Sequence, residues 1–255
     1  MWAGAGGLDN YGPSVMLRAW AVFMVCVSGP LLFFIKPRVP VSRTSPQRAL
    51  RFTFLKTPTF WIYELGNVIE SFGFFIPGIY LPSYARKIGL STISGTVAVA
   101  LFNLMSVLGA VILGHITDQI HATNAILISA IGTSVAVFGI WGFATSHVAL
   151  WLFSVFYGLF AGGYSCTWTG SIREIKKQYE DANACMLFGL LAAGRGIGSV
   201  ATGPLTEALL LRMLWAGEEE RYFGYGTGYG PLIILTGVSA VLSGVSWAAR
   251  KFGWL

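Results

Sequence analysis

Almost every charged residue of this chain falls in a short gap between long apolar stretches, and that spacing constrains the fold more than any motif. Four runs carry no Asp, Glu, Lys or Arg: Ala19–Ile35, Ile88–Thr117, Gln119–Ile172 and Tyr222–Ala249. Crossing about 30 Å of hydrocarbon takes roughly 20 apolar residues at about 1.5 Å each. The run from Gln119 to Ile172 is too long for one crossing and must fold back near Ala144-Thr145-Ser146-His147. Adding the stretches around Glu64/Glu70 and Arg195 gives about seven predicted spans, at residues 15–35, 58–83, 91–114, 123–144, 148–171, 183–210 and 230–249. With 11% charged residues and a mean hydropathy of +0.65, the lipid bilayer is the expected solvent. Continuous apolar stretches predict helices, because barrel strands would alternate over roughly ten residues. The predicted fold class is an all-α, multi-pass transmembrane helical bundle.

Orientation follows from Lys and Arg, which concentrate in cytoplasmic loops. The gap 36–57 carries Lys36, Arg38, Arg43, Arg48, Arg51 and Lys56 and no acid. With Arg173, Lys176, Lys177, Arg250 and Lys251, one side holds eleven of the 17 basic residues. The other holds Arg18, Arg86, Lys87, Arg212 and Arg221, and Arg195 lies inside a span. The N-terminus is therefore predicted outside and the C-terminus in the cytoplasm. The net charge of +6 then reports topology and gives no support for nucleic-acid binding. An anionic-lipid contact by the basic gap is the lesser reading of it.

The remaining composition narrows the function class. Residues 1–14 are Gly-rich, lack a basic start and do not resemble a cleavable signal. Cys26, Cys166 and Cys185 lie in or at the ends of spans and imply neither a disulfide framework nor a metal site. His115, His121 and His147 show no metal-ligand spacing, and no Gly-x-Ser-x-Gly or Gly-x-Gly-Asp pattern occurs. An enzyme, a cofactor and a metal are not expected. A seven-helix receptor shares the span count, but the acidic-Arg-aromatic and Asn-Pro-x-x-Tyr marks are absent.

Polar residues at membrane depth carry the chemistry. Glu64, Asn67 and Glu70 recur every three residues, within one broad helix face. Arg195 stands between Gly194 and Gly196 in an otherwise apolar stretch. Counted from Pro58 and Asn183, Glu70 and Arg195 are each about twelve residues in, which puts both near the bilayer midplane. A charge there costs several kcal/mol by roughly the lower estimates, so it faces a cavity or a partner. Arg195 is the candidate anchor for an anionic substrate. Glu70 is its candidate resting partner and proton carrier, Asn67 helps shape the candidate site, and Asn103 either joins that site or bonds across helices. The competing reading is a structural Glu70–Arg195 pair that locks two helices. Glu207, toward the outer end of the same stretch, reads as structural, and Tyr164 and Trp168 as cavity lining. Trp61, Trp151, Trp215 and Trp247 near span ends read as interface anchors. Glycines four apart, Gly158/Gly162 and Gly194/Gly198, expose bare backbone to a neighbouring helix, for static packing or for sliding. Pro77-Gly78, Pro82 and Gly203-Pro204 mark places to bend or unwind.

The gap Gly114-His115-Ile116-Thr117-Asp118-Gln119-Ile120-His121 resembles the Gly-x-x-x-Asp-(basic)-x-Gly loop of the major facilitator superfamily, with Gln119 and His121 in place of the basic residue and the glycine. Phe60–Ser71 followed by Ile79–Ala85 is similar to the seventh helix of the fungal monocarboxylate-transporter-like branch. Phe33–Arg38 resembles the end of the sixth helix, and Gly194–Ser199 with Gly203-Pro204 resembles the eleventh. The resemblance implies the sixth through twelfth helices of a secondary carrier, a symporter that moves a small organic anion or related solute by alternating access, driven by a solute or proton gradient. It divides the chain into an outside segment and first span (1–35), a basic cytoplasmic linker (36–57) and a C-terminal six-helix half (58–255). Gly114 and Asp118 would belong to the conformational loop. The span 91–114 carries no charge, so the acid–arginine pair that animal relatives place there has no counterpart. Alternating access needs two bundles. A second half-transporter or a homodimer is therefore an expected partner, and a truncated, non-transporting half is the alternative. The plasma membrane is the expected location, with the vacuole or another internal membrane as the alternative.

Overall fold

The computed structural model describes residues 2–32, 34, 53–211 and 223–254. Most of the basic linker, with Lys36, Arg38, Arg43, Arg48 and Arg51, lies outside the described residues, as do Arg212, Trp215 and Arg221. The chain divides into two units, Met1–Ala49 and Leu50–Leu255. In the first, α1 (Trp2–Leu32) starts before the predicted residue 15, and Leu17–Leu32 is its apolar part.

The second unit is a helical bundle: α2 (Pro58–Lys87), α3 (Thr92–Gln119), α4 (Ala122–Val135), α5 (His147–Ala161), α6 (Thr167–Gln178), α7 (Ala184–Leu211), α8 (Gly230–Ser243) and α9 (Val245–Lys251). Several of these join end to end. α4 continues through a π-turn and a 3-10 turn to Phe143, and α5 reaches α6 through a 3-10 turn at Tyr164–Cys166. Gly244 joins α8 to α9. The predicted fold-back at 144–147 falls in the break between Phe143 and His147. Five rods, at 92–119, 122–143, 147–178, 184–210 and 230–251, are long and apolar enough to cross a membrane. α2 has 30 residues, a reach of about 45 Å, with Glu64, Asn67 and Glu70 in its first half.

Local chemistry sets the helix starts. Pro58 opens α2, where its missing N–H costs nothing. Ser91 and Ser146 cap α3 and α5 by accepting from the Ser94 and Ala149 amides, each at 3.3 Å. The sequence marked prolines as places to bend or unwind, yet α2 runs through Pro77 and Pro82, and α7 through Pro204. Pro77 has no amide to give the Gly73 carbonyl one turn back. Tyr157 of α5 supplies the donor instead, its hydroxyl reaching the carbonyls of Gly73 at 3.3 Å and Phe74 at 3.1 Å. A hydroxyl from a neighbouring helix thus serves the backbone that Pro77 leaves without its own donor.

Glycines bring the helices together. A Cβ on Gly158 would lie 2.6 Å from the Phe102 carbonyl oxygen of α3, and one on Gly162 would strike Ser106. Two apolar clusters lie at different levels of the bundle. One gathers Phe60 and Tyr63 of α2 with Trp168, Leu187 and Leu191; the other gathers Ile76, Leu81 and Tyr84 with Trp141, Phe153 and Tyr157. Along α2 the polar residues 64–71 separate the two.

Candidate functional site

One stripe of α7 faces α2: Leu187, Leu191, Gly194, Gly198, Thr202 and Thr206, three to four residues apart, are all buried. The small residues in this stripe let the backbones approach. A Cβ on Gly198 would lie 2.7 Å from the Val68 carbonyl oxygen and would overlap the Ser71 hydroxyl. Further along, the Thr202 hydroxyl donates to the Phe72 carbonyl at 3.1 Å, and the Tyr80 hydroxyl to Thr206 Oγ1 at 3.1 Å.

Arg195 flanks that stripe, and its side chain reaches α2. Its Nη1 donates to Glu70 Oε2 at 2.8 Å, with 14% of the arginine side chain and 7% of the carboxylate side chain exposed. The guanidinium carbon lies 4.3 Å from the centre of the Phe74 ring, one turn beyond Glu70. Thus the two charges that the sequence placed at one depth are in contact. A guanidinium has five N–H donors. Only the Nη1 donor to Glu70 is engaged among the described residues. The remaining donors are available to a carboxylate, which a guanidinium receives with two parallel hydrogen bonds.

Asn67 is held on both sides. Its Nδ2 donates to the Leu191 carbonyl of α7 at 2.7 Å, and its Oδ1 accepts from Trp168 Nε1 of α6 at 3.1 Å. It therefore fixes three helices beside the ion pair. Glu64, one turn earlier, is 8% exposed. Its Oε1 presses against Gly194, where a Cβ would overlap it, and its Oε2 is buried without a hydrogen-bond partner. Tyr164 and Tyr157 stand within electrostatic range of the Glu70–Arg195 pair, and Tyr164 also of Glu64.

Asn103 is separate from this cluster. It is exposed on α3, and its Nδ2 donates to the Val99 carbonyl one turn back in its own helix at 2.9 Å. Glu207 is likewise exposed on α7. Gly114 and Asp118 lie within α3, which continues to Gln119, and Asp118 is exposed. Arg173 of α6 holds the C-terminal end of α3, donating to the Thr117 carbonyl at 2.9 Å. His121 caps α4 and faces Glu174 at 3.5 Å, while Arg250 of α9 reaches Thr123 Oγ1 at 3.3 Å. Burial lowers the His121 pKa from 6.5, and Arg250, Lys177 and Arg173 add to that, against the opposing pull of Glu174. Trp61, Trp151 and Trp247 bond or stack near helix ends, with the Leu55 carbonyl, the Ser94 carbonyl and Lys251 respectively.

The burial of Glu64, the bond between Trp168 and Asn67 and the Phe74 ring beneath Arg195 were not foreseen. The three-residue spacing of Glu64, Asn67 and Glu70 was the only sequence signal pointing toward them.

A helical bundle with apolar rods long enough to cross a bilayer, and a buried ion pair between two of its helices, defines a multi-pass integral membrane protein. Residues 1–178 match the Major Facilitator Superfamily, and the chain belongs to that family. It is 25% identical over 246 residues to the MFS-type transporter pynF of Aspergillus niger, covering 96% of this chain and 55% of that one. It is 33% identical over 243 residues to the aspyridones efflux protein apdF of Emericella nidulans, covering 92% and 48%. Over 202 residues it is 25% identical to the MFS transporter asaE of Aspergillus flavus, covering 79% and 45%. The chain spans about half the length of these relatives. The family points to transport rather than catalysis.

Proposed function

We propose that this chain is the C-terminal half, with the preceding helix, of a carrier of the monocarboxylate-transporter-like branch, and that it moves a small organic anion by alternating access. The observation that carries this reading is Arg195, held in the bundle by one bond to Glu70, with its other donors uncommitted among the described residues. The anion's carboxylate would take those donors and compete with Glu70 for the guanidinium. Asn67 and its partner Trp168 would hold the wall of the site, and Asn103, on the exposed face of α3, would be reached only from a second bundle. Gly114 and Asp118 would act in the moving loop. Residues 36–57 would link the halves, with the N-terminus outside, the C-terminus in the cytoplasm and the plasma membrane as the location.

A second reading rests on the chain spanning about half the length of its relatives. In it, transport requires a second half-transporter or a second copy of this chain, because one bundle has nothing to rock against. The test is flux of a panel of labelled organic acids in yeast cells lacking their own carriers, with Arg195→Gln at matched membrane abundance. The efflux named for the Emericella relative makes export the direction to measure first. Flux lost in the variant supports the carrier reading. Flux equal in both would overturn Arg195 as the anchor, and no flux until a second half is co-expressed would establish the partner-dependent reading.

A further inference from the structure

Two carboxylates of α2 meet different environments in the same bundle. Glu70 has a guanidinium at 2.8 Å. Glu64, itself buried, has no cation among the described residues, and its Oε2 has no hydrogen-bond donor. The charged and titratable groups facing it are few. Arg195 of α7 is engaged by Glu70, and Tyr164, between α5 and α6, is the polar side chain within electrostatic range. Directly opposite Glu64 is Gly194, whose backbone amide is inside α7 and has no free donor to offer.

An ionised carboxylate in such a place would lack both a cation and a donor, and that arrangement costs several kcal/mol by about the lowest of the measured scales. A buried acid with nothing to neutralise it is neutralised by a proton. We infer that Glu64 is a proton-binding site of this protein, distinct from the Arg195–Glu70 pair. The carboxylate takes up one proton to become the carboxylic acid, and returns it when movement of α7 away from Gly194's present position exposes Glu64 to water. Glu64 lies six residues along α2 from Pro58, about 9 Å, and Glu70 is about another 9 Å further. Tyr164 stands within range of both. The anion's group, Arg195 of α7, and the proton's group, Glu64 of α2, are therefore separate and lie on facing helices. Glu70 is engaged by the Arg195 guanidinium at 2.8 Å, and Glu64 is a second acid of α2 able to carry the coupling role. The coupling role rests on the carrier reading above, but the proton site itself does not.

The experiment has two arms. In the first, the purified chain in phosphatidylcholine vesicles is examined by infrared spectroscopy across a pH titration. The inference expects a protonated-carboxyl band that disappears in Glu64→Gln and persists, shifted, in Glu64→Asp. A band unchanged in Glu64→Gln, with the helical circular dichroism of all three proteins matched, would overturn it. In the second arm, the same proteins are assayed for accumulation of a labelled organic acid driven by a pH gradient, and for acid–acid counterflow without one. Glu64→Gln is expected to lose the first at least tenfold and keep the second. Gradient-driven accumulation equal to that of the unsubstituted protein would overturn the coupling role. If the unsubstituted protein moves no acid at all, the carrier reading has failed and the infrared arm alone decides the site.

Discussion

Arg195 and Glu70 are joined at 2.8 Å across the α2–α7 contact, and the pair closes within a single bundle. Each residue is the other's neutraliser, so removing one leaves a buried charge alone. Such a cut typically costs about 3–5 kcal/mol, whereas replacing both partners by neutral groups is often close to harmless. Glu70→Gln and Arg195→Gln are each expected to lower unfolding stability by about that amount, and the double variant to recover most of it. Chemical denaturation in detergent measures the cycle. Additive losses would mean that the two charges do not interact.

Tyr157→Phe removes the hydroxyl that serves the Gly73 carbonyl left bare by Pro77. The expected loss is about 1 kcal/mol, with faster amide exchange in α2 around residue 77. Substituting Pro77 by Ala in the same background restores an amide for Gly73 and should return the lost stability. Hydrogen exchange with mass spectrometry reads both effects.

Gly198 and Gly196 differ by two residues and face different surroundings. A Cβ on Gly198 meets Ser71 and the Val68 carbonyl, whereas one on Gly196 meets nothing within 4 Å. Gly198→Val should destabilise the α2–α7 contact by about 1–3 kcal/mol, and Gly196→Ala should fold normally. Thermal unfolding in vesicles compares them.

His121 sets a pH dependence. Its pKa is lowered from 6.5 in the folded chain, so the unfolded chain binds the extra proton first. Stability contributed by neutral His121 is therefore fully present above 6.5 and is lost as pH falls from there through the lower folded value. His121→Asn keeps the helix cap and removes the titration. Its melting temperature should fall less than that of the unsubstituted protein on acidification through this range. Identical slopes would contradict the assignment.

The depth of the polar residues was legible because charges in a membrane helix are rare and their position can be counted from the span ends. Counting put Glu70 and Arg195 at one level, and their contact follows. Which faces meet was not legible, since depth says nothing of rotation about the helix axis. Asn103 was grouped with the others as deep and polar, yet it is exposed on α3 and bonds its own helix. Glu64 was visible as a charge, but its isolation depends on Gly194 being opposite and on Arg195 turning to Glu70, which only packing reveals. The continuity of α2 at Pro77 was hidden for a similar reason. Pro77 removes a hydrogen bond locally, and the compensating hydroxyl comes from a residue 80 positions away in sequence, Tyr157.

Whether Arg195 receives the substrate or merely locks α2 to α7 is decided by the neutral double variant, Glu70→Gln with Arg195→Gln. Flux of labelled organic acids is compared with the unsubstituted protein at equal abundance and matched melting temperature, in whichever assembly of this chain supports flux. The account predicts flux reduced at least a hundredfold although the fold is intact, because the cation that receives the carboxylate is gone. Flux within a few-fold of the unsubstituted protein would contradict it, and would leave the pair as a structural lock.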